Sequence, residues 1–367
     1  MKIGMYLTTA VAPGMTQREV IEDSLYYAQC AERMGFESVW VLEHHFTKYG
    51  ICSSTITMAS YLLGMTKKLK VGTAINIVPI EHPVRLAEQV ALLDQLSDGR
   101  FMLGIGRGLF DRDFDVFGTD IQKSRAITDI WVKIMRRAWR EGKAEGDGEF
   151  LNFREVLIYP ETYTKPEPQC FVAAMSPTTV EWAARQGLPM LIQHDVEDEE
   201  KLANIELYRQ IATECGHDVS KIEHTLSFGV VIATDTDSLN TLKERSRNYL
   251  TWWSEEGQRD SKIFDVVEEM NVNDYSWHLN KWKEAVRKGE RDMIPRTEKL
   301  FRLNPVGTPD ECIRKINETV ALTGVKRIIL SFETVGNRED IRKNIALFEE
   351  RVLPHIEGYA KVPSTLC

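Results

Sequence analysis

Cysteine is scarce in this chain and widely spaced. Six cysteines stand at positions 30, 52, 170, 215, 312 and 367; no two form a C-x-x-C pair, and none lies at zinc-ligand spacing. That pattern speaks against a disulfide scaffold or a structural zinc, so no metal is expected, and it points to reduced thiols in a cytoplasmic protein. Long apolar runs are missing too: nothing approaches the ~20 residues a membrane helix requires. The opening MKIGMYL enters a strand at once, without the charged and apolar regions of a signal peptide. Positive charge is in deficit, with 46 Lys and Arg against 55 Asp and Glu and a formal net charge of -9. An acidic balance argues against a nucleic-acid or anionic-membrane partner, while leaving room for a local basic pocket. No G-x-S-x-G, H-E-x-x-H or G-x-x-x-x-G-K-[ST] occurs, which removes most of the weight from hydrolase, zinc-peptidase and P-loop readings.

What is present is a regular α/β alternation. The 367 residues are 43% hydrophobic and 28% charged, close to soluble globular averages and enough for a large core. Strand-like runs fall at Lys2–Leu7, Ser38–His45, Lys70–Ile77, Arg100–Gly106, Cys170–Ala174, Leu188–Gln193, Thr225–Ala233 and Arg327–Glu333, with amphipathic helical stretches between them. Eight strands alternating with helices and no linker predict one (β/α)8 TIM barrel over residues 1–367 rather than an open sheet. Glu141 to Pro168 is irregular, with short strand-like pieces around Phe150 and Leu157. A second departure, residues 254–299, precedes the last βα unit. It is charged yet holds Trp277 and Trp282 beside Lys283, and a connection that long reads as an inserted lid ahead of a solvated surface excursion.

Barrel active sites gather at the carboxyl ends of the strands. The second strand ends in Glu43-His44-His45, which puts an imidazole where proton transfer near neutral pH would be useful. Adjacent strand residues point to opposite faces, so chelation by the two histidines is disfavoured. The fourth strand runs into Gly104-Ile105-Gly106-Arg107-Gly108, where glycines allow close approach of a ligand; the spacing is not that of a dinucleotide fingerprint. Arg107 sits in that turn and Arg125 opens the next helix; the two suit an anion, or equally a pair of surface ion pairs. After the fifth strand, Met175-Ser176-Pro177-Thr178-Thr179 places Ser176 as N-cap with proline following, and the exposed amides of such a helix start bind anions.

Several of these segments together resemble the bacterial luciferase-like flavin-dependent monooxygenase family, the luciferase α subunit in particular. They are LEHHFTKYG (42–50), HPVRLAEQVALLDQLSDGRF (82–101), GRGLFDRDFDVFGTD (106–120), EWAARQGLPM (181–190) and NPVGTPDECI (304–313), and the likeness is nearly collinear from Met1 to about Ile356. The resemblance implies a (β/α)8 barrel using FMN in its reduced form, FMNH2, delivered by a separate flavin reductase, with O2 as co-substrate. It implies that His44 is the catalytic imidazole near a flavin 4a-hydroperoxide. Arg107, Arg125, Ser176 and Thr179 would hold the FMN phosphate, and Ala74-Ile75 would be a non-prolyl cis peptide beneath the isoalloxazine. Asp113 would line the flavin pocket, and the stretch around Lys283 would be the lid.

Three positions depart from the family pattern: Gly106 stands where a reactive cysteine is expected, Met175 where an acidic residue is, and His194 where a tryptophan is. Gly106 and Met175 still count among the cofactor-binding positions. These departures favour flavin-dependent oxygenation of a small organic substrate over light emission or a fatty-aldehyde substrate; an aldehyde, a ketone, an olefin and an aromatic precursor are the candidates. A second chain in a homodimer or heterodimer is implied as well. The alternatives are a deazaflavin-dependent reductase of the same superfamily and a non-catalytic flavin-binding partner subunit; His44 together with both arginines disfavours the latter.

Overall fold

A computed structural model of the chain describes residues 1–258 and 293–360. Its strands are β1 (Lys2–Leu7), β2 (Ser38–Val41), β3 (Lys70–Thr73), β4 (Asn76–Ile77), β5 (Phe101–Gly106), β6 (Lys143–Asp147), β7 (Asn152–Leu157), β8 (Gln169–Ala173), β9 (Met190–Ile192), β10 (Thr225–Gly229), β11 (Val231–Ile232), β12 (Val306–Gly307) and β13 (Arg327–Ser331). Around them lie helices α1 (Gln17–Met34), α2 (Thr55–Met65), α3 (Pro83–Leu96), α4 (Asp111–Phe117), α5 (Ser124–Glu141), α6 (Pro177–Gln186), α7 (Asp198–Glu214), α8 (Thr236–Gln258), α9 (Met293–Leu303), α10 (Pro309–Thr323) and α11 (Arg338–Arg351). The main sheet holds nine segments in the order β3-β2-β1-β13-β10-β9-β8-β5-β4, and a further β3–β5 pairing closes it. Since β3 and β4 both pair with β5 and are one interrupted strand, the closed sheet is an eight-stranded parallel barrel. Among the described residues no helix is long and apolar enough to cross a membrane.

Two apolar layers hold the barrel. One lies between strands and helices. The other fills the interior with Trp40, Ala74, Met102, Phe171, Leu191 and Ile329, with Tyr6 and Ile75 packed on it. Trp40 and Phe171 belong to β2 and β8, which are not neighbours in the sheet, so their edge-to-face contact at 5.1 Å runs through the barrel. Gly72 makes that possible: a Cβ there would stand 2.4 Å from the Trp40 ring. The amino end is plugged by Arg327, only 2% exposed, whose guanidinium reaches Glu37 Oε2 at 2.8 Å and Glu223 Oε2 at 3.5 Å and lies over Phe171. Removing one partner of such a buried network leaves the others uncompensated, which is costlier than the network is worth.

The strands are shorter than the apolar runs suggest, and each shortening has a local cause. β2 stops at Val41, so Glu43, His44 and His45 occupy a loop beyond it rather than the strand end. The run Lys70–Ile77 is split by a cis Ala74–Ile75 peptide bond. The run Thr225–Ala233 divides after Gly229, whose N–H donates to Asn304 Oδ1 at 2.9 Å; β11 then leaves the barrel to pair with β12. The pieces around Phe150 and Leu157 form one antiparallel hairpin, β6–β7, with Phe150 in its turn. Helices α4 and α10 were not evident from periodicity. The first has only seven residues. The second carries a readable capping box, Thr308 with Glu311. Within residues 254–299, both edges are helical, as the end of α8 and the first part of α9; Trp277, Trp282 and Lys283 lie outside the described residues.

His224, between β9 and β10, gives the barrel an acid limit. Its Nδ1 accepts from the Met190 N–H at 3.1 Å and its ring meets Tyr208, so protonation would cost that bond, and burial pushes the imidazole down to about 4. The unfolded chain takes up this proton near 6.5. Stability from the neutral ring is therefore complete above about pH 6.5 and is lost as pH falls towards 4, by about 2 kcal/mol between pH 7 and 5. Urea unfolding of the native chain and of His224→Gln at both pH values should show this part of the acid slope missing from the variant.

Candidate functional site

The loops at the carboxyl ends are tied together by one carboxylate. Glu43, 3% exposed, accepts from the Thr55 N–H at 3.0 Å, the Thr55 hydroxyl at 2.7 Å, the Ile77 N–H at 3.2 Å and the Asn76 amide at 3.4 Å. It thereby joins the loop after β2, the start of α2, and β4 just beyond the cis bond. Glu43 is thus the anchor of the triplet, and the two imidazoles next to it are placed by that anchor.

His44 donates its backbone N–H to Cys52 O at 3.1 Å, and its Nδ1 shares a 3.1 Å hydrogen bond with Tyr49 Oη. Tyr49, itself packed on Trp253 and Phe110, is held well above its usual pKa by burial first. His44 is pushed down to about 3, chiefly by burial, then by the charges of His45 and Arg112, so the resting ring is neutral. His45 has Nε2 3.7 Å from Glu43 Oε1, and its carbonyl accepts from Arg112 at 3.0 Å. Asp113, on α4 and 1% exposed, stands 4.0 Å from Arg112 Nε; burial lifts it to about 6, against the opposing pull of His45 and Arg112.

Ala74 and Ile75 lie between β3 and β4 at the top of the interior layer, where the Tyr6 hydroxyl donates to Ala74 O at 3.2 Å. Gly106 is the last residue of β5 and lies against the Ile75 side chain; Arg107 follows it directly.

A polar cradle forms where α5 and α6 begin. Ser176 caps α6: its Oγ accepts from the Thr179 N–H at 3.3 Å and bonds the Thr179 hydroxyl at 2.9 Å. Arg125, the second residue of α5, reaches across to the Thr178 hydroxyl at 3.1 Å. Trp182 on α6 donates to Asp129 on α5 at 3.0 Å, which locks the two helices together. A guanidinium beside a capped helix start concentrates positive potential, with N–H donors facing the same space. Met175 precedes the cap, its carbonyl accepting from Asn204 at 3.4 Å, and the His194 carbonyl accepts from Asn304 at 3.0 Å.

The structure therefore groups the singled-out residues into three sets: His44 with its aromatic neighbours, Ala74-Ile75 with Gly106, and Arg125 with Ser176 and Thr179. Asp113 joins none of them and faces Arg112 and His45. One residue escaped the sequence reading. Glu333, just past β13, is buried and accepts from the Thr8 N–H at the end of β1; burial raises it to about 7. Its one signal was an acid closing the apolar run RIILSFE.

Comparison with known proteins places this geometry. The family described as luciferase-like monooxygenase matches residues 1–327. The alkanal monooxygenase alpha chain of Photorhabdus luminescens is 40% identical over 357 residues, covering 97% of this chain and 97% of its own. The alkanal monooxygenase beta chain of Photorhabdus laumondii is 27% identical over 337 residues, 92% of this chain and 94% of its own. Among solved structures, the monooxygenase RslO1 of Streptomyces bottropensis superposes with a TM-score of 0.74 at 26% identity, over 97% of this chain and 99% of that one. The chain belongs to the luciferase-like monooxygenase family.

The Glu43 anchor makes a checkable demand. Glu43→Ala strands the buried Thr55 and Ile77 N–H groups and should cost about 2–4 kcal/mol, whereas Glu43→Gln keeps an acceptor oxygen and should cost clearly less. Equal losses from the two variants in denaturant unfolding would show that the anchor is not a set of accepted hydrogen bonds.

Proposed function

We propose that this member of the luciferase-like monooxygenase family binds reduced FMN at the carboxyl end of its barrel. With O2 it then oxygenates a small organic substrate, an aldehyde being the first to test. The observation that carries the reading is the cradle of Arg125, Ser176 and Thr179, a cationic helix start suited to a phosphate monoester. Arg107, one residue beyond β5, would complete it. The cis Ala74–Ile75 segment and Gly106 fit a flat ring system: Ile75 offers an apolar, half-exposed surface seated on a closed core. Met175 would border the phosphate end, and Asp113 would act on the pocket from behind Arg112.

Reduced FMN, when bound, supplies the two electrons that let one oxygen atom enter the substrate while the other leaves as water. The residues of the chain manage protons and water. A ring held as low as His44 is a weak base at rest, but an anion arriving beside it would raise its pKa and let it take up a proton. Tyr49 fixes the ring through Nδ1, while Phe110 and Trp253 keep this side of the mouth apolar. A separate flavin reductase delivering the reduced cofactor is proposed from the family likeness. A partner chain, identical or related, is proposed from the relatives named alpha and beta chain, and a cytoplasmic setting from the scattered thiols.

Anaerobic titration with FMNH2, then mixing with O2 and an alkanal while carboxylic acid and hydrogen peroxide are both measured, tests the function. Acid formed in proportion to flavin oxidised supports it; peroxide alone, with every aldehyde tried, removes it. His44→Ala should keep flavin affinity and lower acid yield by roughly two to four orders of magnitude, the span of lost acid–base catalysis. Equal loss of binding and yield would make His44 structural. Arg125→Ala should weaken FMN roughly tenfold to a hundredfold, the worth of a charge-assisted hydrogen bond, while leaving riboflavin binding nearly unchanged. A matching loss for riboflavin would mean that the arginine serves no phosphate.

A further inference from the structure

We infer that Ile75 and Gly106 are a size-matched pair that sets the height of the floor on which the flat ligand rests. Gly106 acts as the positioning residue and Ile75 as the surface. The inference rests on the reading above, that this ligand is FMN. A Cβ built at Gly106 would stand 2.6 Å from Ile75 Cδ1 and 2.9 Å from Ile75 Cγ1, closer than carbon atoms tolerate. Ile75 thus fills the slot that a side chain at position 106 would need, so bulk lies on one member of the pair and is missing from the other.

The surroundings leave Ile75 one direction in which to yield. Below it the interior cluster is closed by Trp40, Met102 and Phe171, all within 2% of complete burial. Sideways, the backbone is pinned: Asn76 pairs with Ile105, and Ile77 with Gly106, across β4 and β5. The Asn76 amide and the Ile77 N–H are held by Glu43 as well. A β-branched side chain is stiff at χ1, so it moves as a block rather than by swinging its tip. Any side chain at 106 therefore displaces Ile75 from its seat. Shortening residue 75 should undo that displacement.

A double-mutant cycle reads the pair directly. Anaerobic affinity for reduced FMN and thermal melting are measured for the native chain, Ile75→Ala, Gly106→Ala and the double variant. Gly106→Ala should bind FMN at least tenfold more weakly, Ile75→Ala more weakly than native but by less than Gly106→Ala, and the double variant within about threefold of native. Rescue of affinity marks the pair as positioning the ligand, since a purely structural defect would move the melting temperature alone. Effects that simply multiply in the double variant, or native affinity in Gly106→Ala, overturn the inference. Should Gly106→Ala not fold, the double variant decides: folding with near-native affinity supports the pair, and failure to fold removes it. If the native chain binds no FMN, the cofactor reading falls by itself. Melting then judges the pair, with Gly106→Ala lowered and the double variant restored if it holds.

Discussion

The mouth of this barrel depends on a buried carboxylate doing what strand pairing no longer does. β2 ends at Val41, and from there the chain would carry unpaired polar groups into a crowded interior. Glu43 receives donors from α2, from Asn76 and from Ile77, and so replaces a ladder of backbone bonds with a hub. Each neighbour inherits its place from that hub: the two imidazoles follow it in sequence, and β4 resumes its register with β5 on its far side. The packing of Ile75 against Gly106 is the same constraint felt one residue away.

The two ends of the barrel solve opposite problems. At the amino end, Arg327 is met by Glu37 and Glu223, with Lys70 beside Glu37, so charge is matched by charge. At the carboxyl end, ionisable groups are buried without full compensation. His44 rests neutral, while Asp113 and Glu333 are lifted towards neutrality, in each case chiefly by burial. Such groups change charge readily when a ligand alters the field around them, which is what proton-handling sites require. Charge is matched at one end and left unmatched at the other.

Much of this was legible in the sequence because it is local. Alternating apolar runs gave the strands, and Ser176 followed by Pro177 gave the helix cap at the cradle. What the residues alone left open was settled through space. The position of Arg125 on α5 does not show what it meets; its contact with Thr178, 53 positions away, puts it at the start of α6. The break in β3–β4 was implied only by family likeness, because Lys70 to Ile77 reads as one continuous strand. Glu43 looked like a companion of the histidines and is their anchor, since its partners lie 12 to 34 residues further on. Glu333 was passed over for the same reason: its partner, Thr8, is at the other end of the chain.

The Arg327 plug has a consequence for traffic. With the amino end sealed and Trp40 and Phe171 meeting across the interior, the described barrel has no through-passage. Were the proposed flavin seated on Ile75, whatever bound above it would bar its exit. Two molecules sharing such a site would leave in the reverse of the order in which they arrived.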